Sequence, residues 1–232
     1  MGDGKQPSKR TIRLKEWGVQ VDTTKAPNED YLRNSDSSLS PGPFALRTDS
    51  NGYIITGNQI TRPGARRKLV TLGGSFVEGL FVAEHERFQS VSERLLDSSG
   101  SFLQVWNAGY SGSTALHVFN TLISKVLRAK PYIECVLLFT SMSDSASTRR
   151  RQSYWTPDAR YAPVLDPRNT NTWPDERAPT FEDTESMFSS MIATCNAFGV
   201  PVKIIQSPHR KSQWENDKHL SVAFNSRQQY VR

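Results

Sequence analysis

Hydrophobic and polar positions alternate in a regular way from residue 68 onward. Short apolar runs, typical of buried strands, lie at Lys68–Leu72, Phe102–Trp106, Ile133–Phe139 and Val200–Ile205. Apolar residues recur every three or four positions between these runs, which predicts helices at about Glu84–Leu96, Thr114–Leu127 and Phe181–Phe198. Strands that alternate with helices predict an α/β fold, with a mostly parallel sheet and helices on both of its faces.

The spacing of the apolar residues also predicts which face of each helix is buried. In the first helix that face is Phe88, Val91 and Leu95. In the second helix the apolar stripe contains Leu116, Phe119, Ile123, Val126 and Leu127. The third helix has two aligned rows on its predicted buried face. One row is Met187, Met191 and Cys195, and the other is Thr184, Phe188 and Ile192. Residues 221–232 have the pattern of a further helix that is just beginning.

The chain before the first strand has little periodicity. Residues 1–43 are predicted to form an irregular or disordered N-terminal segment, and residues 44–232 one α/β domain. Near the start of that domain, Phe44–Ile55 predicts a short hairpin with Asn51-Gly52 as its turn. A long loop at 145–180 interrupts the domain, and loops of this length are usually lids, binding loops or disordered inserts.

Composition narrows the classes of protein that fit this pattern. The chain is 36% hydrophobic with a mean hydropathy of −0.55, so irregular segments are expected to dilute an ordinary core. No apolar run approaches the ~20 residues of a transmembrane helix, and the N-terminus has no apolar signal region. We therefore predict no membrane association, with the cytoplasm as the default location. Cys135 and Cys195 are too few for a disulfide framework, and no Cys/His group has zinc spacing, so neither metal nor cofactor is predicted.

The formal charge of +6 comes in part from three short basic runs, at Arg66–Lys68, Arg149–Arg151 and His209–Lys211. Solvated loop charge accounts for such runs. The alternative is that the runs attract an anionic substrate, because two of them follow predicted strands and would lie at the ligand-facing edge of the sheet. The runs are short and far apart, and no nucleic-acid-binding motif accompanies them, so no nucleic-acid partner is predicted.

One serine occupies a position where chemistry is common in α/β proteins. The first predicted strand stops at Gly73-Gly74 and delivers Ser75 into a turn that opens onto a helix-like segment. Ligands and reactive groups of open α/β sheets lie at this end of the strands. Ser75 is therefore a candidate nucleophile, with a helix N-cap in an unrelated α/β protein as the plain alternative. Phosphate binding is a further alternative for this turn, but the turn lacks the P-loop lysine and the Gly-x-Gly-x-x-Gly spacing.

Three strand-end motifs resemble the first three blocks of the SGNH (GDSL-like) hydrolases, namely Gly73–Ser75, Asn107–Gly112 and Ser141–Asp144. The resemblance covers about residues 44–145 by motif and 181–210 by pattern alone. It implies a flavodoxin-like three-layer α/β/α fold and activity on esters, including acetylated sugars, lipids and thioesters. Some relatives transfer acyl groups instead.

The resemblance also implies roles for single residues. Ser75 matches the nucleophile, and the backbone N–H groups of Ser75 and Gly112 match two donors of the oxyanion hole. Gly74 stands where many relatives have Asp. The third block departs further, because Ser143 occupies the place of the Asn that supplies a third donor, and Ser141 that of a Gly. A hydroxyl can donate a hydrogen bond but is shorter than an amide, so either Ser143 substitutes imperfectly, or the site is slow, or it is catalytically inactive.

The catalytic base is harder to assign. The family supplies an Asp-x-x-His near its C-terminus, and this chain has four histidines. His85 and His117 are expected at the surface or in packing, and His209 in a loop or an anion contact. Asn216–His219 resembles the block with Asn in place of Asp, which makes His219 the candidate base. The alternative is that the chain stops before the last helix, strand and catalytic block, which would leave the last strand missing.

Two functions therefore stand open. The first is a serine esterase, O-acyl hydrolase or acyltransferase with Ser75 as nucleophile, in this chain or in a longer parent protein. The second is a degenerate or truncated SGNH domain that binds a glycan or an acylated ligand without catalysis. The expected partner is a small-molecule or glycan ester. Trp155 and Trp173 could stack on a sugar ring or simply anchor their loop. The acyl group, its acceptor and the oligomeric state are not predicted.

Overall fold

A computed structural model describes residues 11–35, 38–57, 67–150, 152–156, 160–165, 182–206 and 230–231. The strands are β1 (Thr11–Ile12), β2 (Asp22–Lys25), β3 (Phe44–Arg47), β4 (Lys68–Gly73), β5 (Gln104–Gly109), β6 (Ile133–Phe139), β7 (Val164–Leu165), β8 (Val202–Ile205) and β9 (Tyr230–Val231). The α-helices are α1 (Glu29–Asn34), α2 (Ser75–Glu78), α3 (Phe88–Ser98), α4 (Ala115–Thr121), α5 (Met142–Thr148) and α6 (Glu182–Ala197). None of the described helices is both long enough and apolar enough to cross a bilayer.

The central sheet has the strand order β5-β4-β6-β8-β9, and every neighbouring pair is parallel. In the order along the chain this is 2-1-3-4-5, the flavodoxin-like doubly wound arrangement. Helices cover both faces of the sheet, so the predicted three-layer α/β/α fold is confirmed. Strand β6 spans the predicted residues Ile133–Phe139, because its nearly continuous apolar run suits a strand buried on both faces.

One face of the sheet carries the main hydrophobic core. Alternate residues of three strands point to this face, as the two-residue period of a strand requires: Val70, Leu72, Val136, Leu138, Val202 and Ile204. Helices α4 and α6 pack on them with Val118, Leu122, Phe188, Met191 and Cys195, among others. The predicted buried rows of α6 are confirmed, with Met187 at the edge of the core.

The helix on the other face differs from the prediction. Helix α3 begins at Phe88 and not at Glu84, because Arg87 is extended, with φ −56° and ψ 140°. Its side chain turns inward, where the guanidinium donates to the carbonyls of Gly79 at 3.1 Å and Ala45 at 2.6 Å. The predicted apolar face is only partly correct, since Phe88 and Val91 are half-buried but Leu95 is 65% exposed.

The buried face of α3 is polar, and its residues are Gln89, Ser90 and Glu93. The Gln89 amide donates to the carbonyl of Val77 at 2.7 Å, and Glu93 accepts from the Thr56 hydroxyl at 2.7 Å. Apolar periodicity did not predict this face, because the groups that α3 meets are themselves hydrogen-bonding groups.

The second predicted helix is present, but its stripe is displaced. Helix α4 continues through a π-helical turn at Leu122–Val126 and a 3-10 segment at Leu127–Tyr132. Val126 and Leu127 are buried as predicted, whereas Ile123 is 47% exposed. Because a π turn winds more residues into each turn, it rotates the buried face away from the stripe that regular helical spacing predicts.

One strand prediction and one helix prediction also need correction. Strand β5 lies at Gln104–Gly109 and not at Phe102–Trp106, since Phe102 has a φ of +40° and precedes the strand. The predicted last helix is wrong at Tyr230–Val231, which pair in parallel with Ile204–Ile205 as β9. A last strand is therefore present in these two residues. The remainder of that predicted helix lies outside the described residues.

The N-terminal residues pack against the domain through short elements. Strand β2 pairs antiparallel with β3, and β1 pairs antiparallel with β7 of the long loop. The segment predicted as irregular thus contains β1, β2 and α1, because its residues find partners far along the chain; the domain boundary at 43/44 stays a prediction. The predicted turn forms, with Gly52 at φ +75° and a bridge between Thr48 and Ile54.

Candidate active site

Ser75 is the first residue of α2 and is exposed at the carboxyl end of β4. The preceding Gly74 accepts hydrogen bonds from the backbone N–H groups of Val77 and Glu78, each at 3.1 Å. One turn later, Gly79 adopts a left-handed φ of +61° and donates to the Ser75 carbonyl at 3.1 Å. The strand therefore ends in a single tight helical turn that presents the Ser75 side chain to solvent.

Two glycines allow this turn to lie close to the next strand. Gly73 of β4 pairs with Gly109 of β5 in the sheet. A Cβ atom on Gly109 would lie 2.3 Å from the backbone nitrogen of Glu78, and one on Gly73 would lie 2.6 Å from a methyl carbon of Val77. Any side chain at either position would collide with the turn, which explains why both strand ends are glycine.

The three strand-end motifs meet next to Ser75. The Tyr110 N–H donates to the Gly73 carbonyl at 3.2 Å, which ties the second motif to the first. The Ser141 hydroxyl donates to the Ser113 carbonyl at 3.0 Å, which ties the third motif to the second. A Cβ atom on Gly74 would lie 3.0 Å from that hydroxyl oxygen. Residues from the ends of β4, β5 and β6 thus form one cluster, as the sequence predicted for the carboxyl edge of the sheet.

The predicted oxyanion donors lie on this cluster. Gly112 has a left-handed φ of +72° and is partly buried. Ser143 lies in the first turn of α5 and is partly buried, and its backbone N–H donates to the Ser141 hydroxyl at 3.2 Å. The next residue, Asp144, is buried and accepts from the Ala115 N–H at 2.6 Å, so it joins the starts of α5 and α4. The roles of Ser75, Gly112 and Ser143 stay predictions.

The predicted base cannot be placed, because His219 lies outside the described residues, as do His209 and Trp173. His85 has a side chain that is 72% exposed and lies 3.9 Å from Glu86. His117 is buried in a capping box at the start of α4, with its Nδ1 at 2.8 Å from the Thr114 hydroxyl. Burial and the nearby charges of Lys15 and Arg13 lower the pKa of His117 to about 3. The described contacts of His85 and His117 therefore fit surface and packing positions.

Sequence reasoning missed three residues that hold the turn after β5. The Glu78 carboxyl accepts from the Trp17 indole at 2.8 Å and from the Ser111 N–H at 3.0 Å, and burial raises its pKa. Lys15 is only 5% exposed and donates from its Nζ to the Gly112 carbonyl. No motif marked these residues, because each acts on a partner that is remote in sequence.

An aromatic cluster begins at Phe76, the residue that follows Ser75. Phe76 is 52% exposed and stacks on Phe88 of α3, with ring centroids 5.6 Å apart. Both rings also contact Phe139 at the end of β6, at 5.9 and 5.3 Å. An apolar surface therefore begins at the residue next to the candidate nucleophile.

Strand order, crossovers and the clustered strand ends define the class of protein as a doubly wound α/β fold with its candidate site at the carboxyl edge of the sheet. No protein-family profile matches the sequence, and no curated protein matches it. Solved structures do match. The chain is similar to AlinE4, described as an SGNH-hydrolase family esterase, with 15% identity, a TM-score of 0.51, and coverage of 73% of this chain and 77% of that one.

Two other structures give the same result. TesA matches with 14% identity and a TM-score of 0.52, over 71% of this chain and 77% of that chain. A putative lipolytic protein of the G-D-S-L family from Desulfitobacterium hafniense DCB-2 matches with 15% identity and a TM-score of 0.50, over 72% and 77%. The fold of this chain is therefore that of the SGNH hydrolases, as the strand-end motifs implied.

Proposed function

We propose that this protein is a serine ester hydrolase of the SGNH type, either an esterase or O-acyl hydrolase or an acyltransferase, with Ser75 as the nucleophile. The observation that carries the proposal is the position of Ser75. It is an exposed serine on a tight turn, beside the contacts that join the turns after β4, β5 and β6. A serine that served only to cap a helix would not need two glycines to bring its turn against the neighbouring strand.

In the proposed reaction the Ser75 Oγ attacks the acyl carbon of an ester, and its proton passes to a general base, for which His219 is the candidate. The carbonyl oxygen becomes an oxyanion, and the N–H groups of Ser75 and Gly112 stabilise its charge. Collapse of this adduct breaks the bond to the alcohol, which leaves with the proton held by the base. Water, or an acceptor alcohol in a transferase, then attacks the acyl-serine and releases Ser75.

Ser143 sets an expectation for the rate. Loss of one oxyanion donor in another serine hydrolase costs ~2.7–4 kcal/mol of transition-state stabilisation. A hydroxyl at this position reaches less far than the amide of the SGNH pattern, so we expect turnover slower than that of an enzyme with all three donors. The substrate is proposed to be a small-molecule or glycan ester, whose acyl group meets the exposed Phe76 ring beside the nucleophile.

Covalent labelling tests this function. A fluorophosphonate probe should modify Ser75, as located by mass spectrometry of the labelled peptide, and Ser75→Ala should lose both labelling and hydrolysis of a short aryl ester. Ser98→Ala is the matched control, because Ser98 is an exposed helix serine whose hydroxyl donates to the Leu95 carbonyl at 2.8 Å. Folded protein that is not labelled, or hydrolysis that survives Ser75→Ala, would overturn the proposal. His219→Ala with unchanged turnover would remove that residue as the base.

A further inference from the structure

We propose that Lys15 and Glu78 are positioning residues that hold the Ser111–Gly112 turn so that the Gly112 N–H faces the oxyanion. This inference rests on the proposed function, because it assigns a role to residues around the Ser111–Gly112 turn, which we call the oxyanion turn. The two side chains act on the two ends of one dipeptide: a carboxyl on the N–H of Ser111 and an ammonium on the carbonyl of Gly112. We call this arrangement the clamp.

The Glu78 half of the clamp comes from the helix that carries the nucleophile. Glu78 lies one turn after Ser75 in α2 and is 1% exposed. Its carboxyl accepts from both the backbone N–H and the hydroxyl of Ser111. The turn after β5 is thereby connected to the turn after β4 by hydrogen bonds as well as by the glycine contact. A shift of Ser111 relative to Ser75 would leave buried hydrogen-bonding groups unpaired, which is costly.

The Lys15 half comes from the N-terminal region. The Lys15 backbone is left-handed, with a φ of +51°, and its side chain is buried. Its Nζ donates to the carbonyls of Gly112 and Arg160, the latter at 2.5 Å. A Cβ atom on Gly112 would lie 3.1 Å from this Nζ, so the ammonium occupies the space beside the glycine. The clamp therefore gives Gly112 a second reason to be glycine, besides its left-handed backbone.

Residues 13–18 supply both contacts, and we call this segment the strap. Lys15 reaches Gly112, and Trp17 donates from its indole nitrogen to Glu78 at 2.8 Å. The Trp17 ring also packs on Tyr110, with centroids 5.4 Å apart. The strap is held in turn by the Arg13 N–H, which donates to the Pro163 carbonyl at 2.8 Å. A segment outside the α/β core thus contacts the oxyanion turn on both sides of Ser111.

The consequence for catalysis is preorganisation. Donors that are already aimed at the developing oxyanion stabilise it without reorganisation during the reaction. We therefore expect loss of the clamp to lower kcat and to leave KM nearly unchanged.

The test compares two buried lysines, one in the clamp and one at the amino end of β4. Lys15→Met removes the clamp contact. Lys68→Met is the matched control, since Lys68 is 7% exposed, its Nζ donates to the Gln104 side chain, and it lies 5.2 Å from the Trp106 ring. The readouts are the rate constant of fluorophosphonate labelling at Ser75, kcat and KM with an aryl ester, and the melting temperature. We expect labelling and kcat to fall ~10- to 100-fold in Lys15→Met. Lys68→Met should stay within about twofold of wild type despite a lower melting temperature, and Lys15→Arg should recover part of the rate.

A second variant keeps the test decisive if Lys15→Met does not fold. Trp17→Phe removes the hydrogen bond to Glu78 and retains a ring against Tyr110, and we expect a smaller fall in kcat, with KM unchanged. The clamp would be overturned if folded Lys15→Met were labelled and turned over substrate at wild-type rates. If only Trp17→Phe folds, the same result in that variant would overturn it. Either result would leave the proposed function unaffected. Folded wild-type protein that is not labelled at Ser75 would instead overturn the proposed function and the clamp with it.

Discussion

Two junctions near Ser75 are built differently: the β5 junction joins the α2 turn after β4 to β5, and the β6 junction joins the turn after β6 to the turn after β5. At the β5 junction backbone meets backbone, because a Cβ atom on Gly109 would lie 2.3 Å from the Glu78 nitrogen. A buried carboxyl and a buried ammonium then hold its turn at Ser111 and Gly112. The β6 junction is made by a small hydroxyl, since Ser141 donates to the Ser113 carbonyl after β5 and accepts from the Ser143 N–H.

The comparison predicts which positions of the candidate site tolerate amino-acid substitution. At the β5 junction a side chain on Gly109 would meet the α2 backbone, so substitution should cost stability as well as activity. At the β6 junction Ser143 is partly exposed, and we expect its position to accept a larger side chain. We therefore expect the first junction to be restrictive and the second to be adjustable. The predictions below test that difference, from the largest expected effect to the smallest.

Gly109→Ala should be the most damaging change. Its new methyl group would lie 2.3 Å from the Glu78 nitrogen, so the α2 turn must move. We expect a loss of about 3 kcal/mol or more in the free energy of unfolding, measured by denaturant titration. Gly18→Ala is the control, because its nearest neighbour would be an ordinary contact at 3.7 Å. Equal stability of the two variants would contradict the restrictive junction.

Acid should lower the free energy of unfolding, because His117 must take up a proton. The pKa of this residue is lowered to about 3 in the folded state, against about 6.5 in the unfolded chain, so the unfolded chain binds the proton first. The stability it contributes is present above pH ~6.5 and is lost as the pH falls toward about 3. The slope approaches ~1.4 kcal/mol per pH unit. Denaturant titrations between these pH values should show a flatter profile for His117→Gln. An unchanged slope would contradict the assignment to His117.

Ser143→Asn should raise activity at the adjustable junction. An amide reaches further than a hydroxyl toward the oxyanion, and we expect kcat to rise about tenfold, well below the full value of a donor. The comparison is with Ser143→Ala, which should lower kcat if the hydroxyl now donates. Steady-state kinetics on an aryl ester measures both. A fall in kcat for Ser143→Asn, with the protein folded, would show that this junction is as restrictive as the other.

Ser141→Ala should have the smallest effect. It removes the hydrogen bond to the Ser113 carbonyl and the cap at the start of α5. The loss of a helix cap costs about 1 kcal/mol. We expect the melting temperature to fall by several degrees, with KM unchanged. A loss as large as that of Gly109→Ala would remove the contrast between the junctions.

The same contrast explains what sequence reasoning could reach. Strand β6, the glycines at the ends of β4 and β5, and the meeting of the three motifs follow from local patterns, because an apolar run or a glycine reports its own surroundings. Ser75 was selected as the candidate nucleophile for the same reason, since a turn between a strand and a helix is a local signal.

Other features have no local signal. Lys15 and Gly112 are 97 positions apart, and Trp17 and Glu78 are 61 apart, so only the fold brings them together. The polar face of α3 was missed because hydrophobic spacing cannot reveal a buried face made of Gln89, Ser90 and Glu93. The exposed Leu95 on the same helix shows that apolar spacing alone can name the wrong face.

A structure of the protein after reaction with a fluorophosphonate tests the central claim most directly. The account predicts phosphorus bonded to the Ser75 Oγ, with the phosphonyl oxygen ~2.7–3.1 Å from the backbone nitrogens of Ser75 and Gly112. An adduct on another residue, or a phosphonyl oxygen that faces away from both nitrogens, would contradict it.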